Sequence, residues 1–127
     1  MGIELNHTIV HVHDPWAAAR DVAEVLGVAA PASYGPFAVV ALGNGVSLDF
    51  MADPGEFTSQ HYAFLVGEDE FDQIWGRLRE RDRRWWADPH QRRPGEINHG
   101  DGGRGLYWEG PDGHWLEIIT RPYGSGA

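Results

Sequence analysis

The chain contains no cysteine among its 127 residues, and all ten of its basic residues are arginine, so lysine is missing too. Without thiols, disulfides, thiolate nucleophiles and cysteine-based zinc or iron–sulfur sites are excluded. Without lysine, Schiff-base chemistry and the lysine of a phosphate-binding P-loop are excluded. No apolar run approaches the roughly 18–20 residues that span a bilayer, and the opening MGIELNH lacks the charged-then-apolar order of a signal peptide. A cytoplasmic protein with no membrane partner is therefore expected. Positive charge is scarce: 19 acidic residues against 10 basic ones leave a formal charge of −9. That balance argues against a nucleic-acid partner, whose affinity comes mostly from neutralised phosphates. The arginines cluster, with Arg77, Arg79, Arg81, Arg83, Arg84, Arg92 and Arg93 close to Trp85 and Trp86. A solvated helix face with an adjoining loop accounts for this cluster; a subunit contact or an anion-attracting rim is the alternative.

What is present is one pattern written twice. Leu5 to Val12 alternates as a strand, Asp14-Pro15 supplies an N-cap and a first-turn proline, and a helix follows from about Pro15 to Leu26, stopped by Gly27. Pro31 to Pro36 reads as a loop, and Phe37 to Leu42 and Val46 to Met51 as strands joined through Asn44-Gly45, a hairpin signal. The pattern then restarts with a strand from His61 to Val66. A helix capped by Asp69 follows, with Phe71, Ile74, Trp75 and Leu78 at i, i+3, i+4 and i+7. A short strand at Arg84 to Ala87, a glycine-rich connection from Gly95 to Gly105, and a hairpin of Leu106 to Glu109 with His114 to Thr120 complete it. The length suits a single domain over 1–127, with module 1 at about 1–53 and module 2 at about 60–122.

The two copies align at both ends. A histidine opens an apolar strand in each, Asn6-His7-Thr8-Ile9-Val10 and Gln60-His61-Tyr62-Ala63-Phe64. A leucine-acid-apolar triplet lies in the last strand of each, Leu48-Asp49-Phe50 and Leu116-Glu117-Ile118. If the copies share one fold, an approximate two-fold axis brings His7, His61, Asp49 and Glu117 toward one place. Singly, each has an ordinary explanation as a hydrogen-bonded histidine or a solvated carboxylate. Together they read differently, because a carboxylate buried alone costs several kcal/mol and a divalent cation compensates it directly. Two imidazoles and a carboxylate with open positions suit one divalent transition metal: Fe, Mn, Zn, Ni or Co.

Over nearly its whole length the chain resembles the vicinal oxygen chelate superfamily, which includes glyoxalase I, bleomycin-resistance proteins, extradiol dioxygenases and fosfomycin-resistance transferases. The residues that carry the likeness are LNHTIVHVHD with a helix ending in LGV, then SLDF, QHYAFLV and YWEGPDGHWLEI, the last being the most specific. The resemblance implies an α+β fold of two βαβββ modules forming a cupped mixed β-sheet with flanking helices. It implies metal ligands at His7, His61 and Glu117, with Asp49 at the fourth position, one methylene shorter than the family's Glu or Gln and so a candidate base. Of the remaining residues, His11 shares the face of His7 by period two and is a candidate proton carrier, and Tyr107 is expected to donate a hydrogen bond. Trp115 shares the face of Glu117, and with Ile9 and Trp108 it is expected to line the substrate's side of the site.

The implied function is a metal-dependent glyoxalase- or dioxygenase-type enzyme that chelates a small substrate through two neighbouring oxygens, working as a homodimer. Fosfomycin modification fits less well, because Ile9 replaces that branch's threonine, Gly105 replaces its potassium-loop serine, and its substrate-binding lysine is missing. The rival reading is a bleomycin-resistance-type protein that sequesters an antibiotic between aromatic side chains without chemistry. A domain with vestigial ligands, binding neither metal nor small molecule, is the third.

Overall fold

Each half of the chain opens on a strand that turns apolar side chains to one side, and a helix follows that covers that side or is built to. The computed structural model describes residues 2–126. They fall into two compact units, the first ending at Thr58 and the second beginning at Ser59.

In the first unit, β1 (His7–Val12), α1 (Pro15–Leu26), β2 (Ala32–Tyr34), β3 (Phe37–Ala41) and β4 (Ser47–Ala52) form a four-stranded sheet in the order β1-β4-β3-β2. β1 runs parallel to β4, and the other pairs are antiparallel. Helix α1 starts where the sequence places it: the Asp14 carboxylate accepts the Ala17 N–H at 3.1 Å, and Pro15 needs no hydrogen-bond partner at the first turn. It stops at Gly27, whose φ of 76° lets its N–H return to Ala23. The helix packs across β3, β4 and β1. Its Ala19, Val22 and Val25 are buried, as are Val10, Val12, Ala38, Val40, Leu48 and Phe50 on one face of the sheet. Burial of each large apolar side chain stabilises the unit by about 1.5–3 kcal/mol. The opposite face carries His7, Ile9 and His11 beside Ser47, Asp49 and Met51.

The second unit contains β5 (His61–Leu65), α2 (Glu68–Glu80), β6 (Gly105–Glu109) and β7 (Trp115–Ile119), with short 3-10 turns at Gly100–Gly102 and Pro111–Gly113. Its strands are ordered β5-β7-β6, with β5 parallel and β6 antiparallel to β7. Leu106, Trp108, Leu116 and Ile118 are buried on one face, and α2 buries Phe71, Ile74 and Leu78. Arg104 ties the start of β6 to the helix: its guanidinium bonds Glu68 and Asp72 at 2.8 Å each and lies 4.4 Å from the centre of the Phe71 ring.

Three local expectations are corrected. Ala32–Tyr34 is a strand rather than part of a loop, because Gly35 adopts φ 55° and, with Pro36, turns the chain so that Tyr34 pairs with Phe37. The cap of α2 is Gly67, not Asp69; the Glu70 carboxylate accepts the Gly67 N–H at 2.8 Å, and Asp69 lies within the first turn. No strand forms at Arg84 to Ala87. Trp86 alone pairs with Tyr107 through two 2.9 Å backbone bonds, while its neighbours Trp85 and Ala87 bond the returning segment at Gly95 and Arg93. The backbone of this stretch is shared between two partners, and no ladder propagates along either. Among the described residues the result is an α+β arrangement with two α-helices and two mixed sheets.

Candidate functional site

Glu117 faces inward and finds partners. In β7 it alternates with the buried Leu116 and Ile118, so it projects from the sheet face opposite theirs, together with Trp115. Register places Ala63 of β5 on one side of it and Tyr107 of β6 on the other, and sets His61 beside Trp115. Glu117 is 1% exposed. Its Oε1 lies 2.9 Å from Nε2 of His61, and its Oε2 accepts the Tyr123 hydroxyl at 2.5 Å. The Tyr107 hydroxyl stands 3.5 Å from that of Tyr123. Burial, the hydrogen bond with Tyr123 and the charge of Glu117 push the Tyr107 phenol above its ordinary range, so it keeps its proton and remains a donor. Aromatic rings wall this group: His61 meets Tyr107 edge-on at 5.8 Å, Tyr107 stacks on Trp115, and Trp115 tilts against Trp86 at 5.3 Å.

The pair fits a metal ion in chemistry and spacing. Imidazole nitrogen with carboxylate oxygen is the mixed donor set that borderline divalent metals take. Two donors each about 2.1 Å from one ion, at adjacent positions, stand about 3 Å apart, close to the 2.9 Å between Nε2 and Oε1. The His61 side chain is 45% exposed against 1% for Glu117, so this pair is approached from the histidine side.

The first unit repeats the register. His7 pairs with Ser47, and Ile9 pairs with Asp49, just as His61 pairs with Trp115 and Ala63 with Glu117. Val39 stands beside Asp49 where Tyr107 stands beside Glu117. The contacts differ all the same. His7 bonds Asn6 at 2.7 Å, and buried Asp49 accepts the Ser47 hydroxyl at 2.8 Å, its short side chain meeting the hydroxyl two residues earlier on the same face. His11 lies on the face of His7 and pairs with Asp53 at 3.2 Å. Ile9 is 39% exposed on that face.

Of the expected ligands, the structure brings together His61 and Glu117; among the described residues no group of three or more histidine and acidic side chains is arranged to hold a metal. Trp115 lies beside Glu117 as alternation requires. Trp108 does not: it follows Tyr107 in β6, pairs with Leu116 and is 1% exposed, so it belongs to the apolar core on the other face. Tyr123 escaped the sequence reading, because it lies beyond the last strand in a proline- and glycine-rich tail where no periodicity predicts its direction. The sequence associates Trp86 only with the arginine cluster; its place beside Trp115 depends on the bridge to Tyr107.

Solved structures with this architecture are numerous. The chain is 63% identical to a protein described as oxidase ChaP-H1, over 97% of this chain and 99% of that one, with a TM-score of 0.94. It is 60% identical to oxidase ChaP-H2 over the whole of both chains, with a TM-score of 0.95. A possible glyoxalase from Bacillus cereus, at 23% identity over 93% of this chain and 99% of that one, shares the fold with a TM-score of 0.67. Neither a protein-family model nor a curated protein matches the chain. At 60–63% identity over nearly its whole length, the chain belongs to one family with the proteins described as oxidases ChaP-H1 and ChaP-H2, and it shares the fold of glyoxalase-like structures.

Proposed function

We propose that the protein is a divalent-metal-dependent oxidase that binds a small, flat substrate through two neighbouring oxygens. The observation that carries this reading is Glu117, a buried carboxylate whose Oε1 stands beside His61 Nε2 in the spacing of two donors to one ion. The description of both 60–63% identical relatives as oxidases supports the reaction class. His61 and Glu117 hold the metal in this reading, and His7 supplies the third ligand that the family resemblance implies. When bound, the ion supplies Lewis-acid polarisation of the paired substrate oxygens and a redox centre. That second role favours Fe or Mn over Zn, which has no redox chemistry.

The chain's own residues then divide the remaining work. Tyr107 holds its proton and donates to negative charge developing on a substrate oxygen. The indole N–H of Trp115 is buried with no partner among the described residues. It is an unmet donor beside Tyr107, and a substrate oxygen would satisfy it. The rings of Trp86 and Trp115 offer a planar substrate an apolar wall and keep water from the reacting atoms. Asp49 and His11 are the proposed proton carriers of the first unit, with Ile9 as an apolar contact; the working form is a homodimer in the cytoplasm.

The experiment is metal analysis of purified protein together with oxygen uptake on a panel of catechol-like and quinone-forming aromatics. About one equivalent of Fe or Mn is expected, lost in His61→Ala along with activity. Protein that carries no metal, turns nothing over and still binds aromatic antibiotics tightly would replace this reading with sequestration.

A further inference from the structure

The C-terminal tail reaches back to the carboxylate. Tyr123 follows β7 by four residues and is 67% exposed as a whole, yet its hydroxyl donates to Oε2 of Glu117, which is almost wholly buried. The tail is held in place beyond the tyrosine. The Asp101 carboxylate accepts the N–H of Gly124 at 3.1 Å and of Gly126 at 3.3 Å. Gly124 takes φ 75°, a left-handed conformation that favours glycine and turns the tail toward Asp101. A short, charge-assisted O–H···O⁻ bond from an anchored segment fixes a carboxylate's rotation about its terminal torsion.

We propose that Tyr123 is a positioning residue: by occupying Oε2 it presents Glu117 to the metal through Oε1 alone, next to His61. The inference rests on the metal-centre reading above and adds to it the reason for one-point ligation. A carboxylate free on both oxygens can also clasp a large, hard cation such as Ca²⁺ through two points. One whose second oxygen is taken favours a smaller ion with mixed nitrogen and oxygen ligands. Hydrogen bonds to ligating carboxylates are worth about 10- to 100-fold in metal affinity.

The test is titration of metal-stripped protein with Mn²⁺ and Co²⁺, read by calorimetry and by the visible spectrum of bound Co²⁺. It compares the unaltered chain with Tyr123→Phe, Asp101→Asn and Glu117→Gln. Tyr123→Phe is expected to retain one site, weaken it about 10- to 100-fold, and alter the Co²⁺ spectrum; the metal-free protein also melts lower, because Oε2 of buried Glu117 loses its donor. Asp101→Asn, which loosens the tail, moves affinity the same way by less. Unchanged affinity and spectrum in Tyr123→Phe, with Glu117→Gln abolishing binding, would overturn this inference and leave the metal centre standing. Full binding in Glu117→Gln, or none in the unaltered chain, would overturn the metal centre and this inference with it.

Discussion

Glu117 and Asp49 occupy equivalent positions, and their surroundings give them different chemistry. Glu117 has the reach to meet His61 and Tyr123, whereas Asp49, one methylene shorter, is satisfied by Ser47 on its own strand. At this scale Gly105 is also decisive. A Cβ there would stand 2.8 Å from Oδ1 of Asn98 and 3.0 Å from its Nδ2. That amide cannot step aside freely, since it donates to the Ala87 carbonyl at 2.8 Å and accepts the Gly100 N–H at 3.1 Å. Gly105→Ser should therefore destabilise the protein by about 1–3 kcal/mol, measured as a lower urea midpoint at unchanged slope. A midpoint equal to that of the parent would show that Asn98 yields.

At the scale of elements, the signals that read correctly are those completed within one turn of chain. Asp14, Pro15 and Gly27 delimit α1 because a cap, a fixed φ and a left-handed stop act on backbone groups at most four residues away. Replacing Asp14 by alanine should cost about 1 kcal/mol, seen in equilibrium unfolding, and Asp14→Asn should restore most of it because the amide oxygen still accepts the Ala17 N–H. The misread elements depend on distant partners. β2 exists because β3 is there to receive three exposed residues, and the expected strand at Arg84 to Ala87 shrinks to one bridge because Arg93 and Gly95 compete with β6 for its backbone. Trp108 lies in the core, away from the expected substrate face, for a related reason. Its neighbour Tyr107 faces Glu117, and only the register of β6 against β7 states which of the two aromatics points which way.

For the molecule as a whole, the excess of acidic residues makes the few arginines structurally important. Arg104 lowers Asp72 below the ordinary carboxylate range through its hydrogen bond, and Glu68 is lowered by a hydrogen bond with Thr120 and then by Arg104. Both groups hold protons less tightly in the folded state than in the unfolded chain. Their contribution is therefore complete above the ordinary carboxylate pKa of about 4 and is lost as pH falls through the lower folded values. Arg104→Gln should accordingly lower the melting temperature modestly at pH 7 and make it fall less steeply between about pH 5 and 2. Parallel curves for the two proteins would show that the arginine acts through its stacking on Phe71 instead. No helix among the described residues is long and apolar enough to cross a membrane.

The α+β class came with the family resemblance; the sequence by itself determined the repeat of histidine and acid in the two halves, the limits of α1, and that Glu117 shares a strand face with Trp115 and not with Leu116 and Ile118. Each of these follows from spacing along a strand or a helix, where covalent geometry alone sets which side chains share a face. Only the tertiary structure decided that His61 meets Glu117, that Tyr123 returns from the tail to hold the second oxygen, and that Trp86 rather than Trp108 stands beside Trp115. Those contacts join residues separated by many positions or lying outside any regular element. No local periodicity specifies them; strand order, register and the anchoring of a loop or tail do.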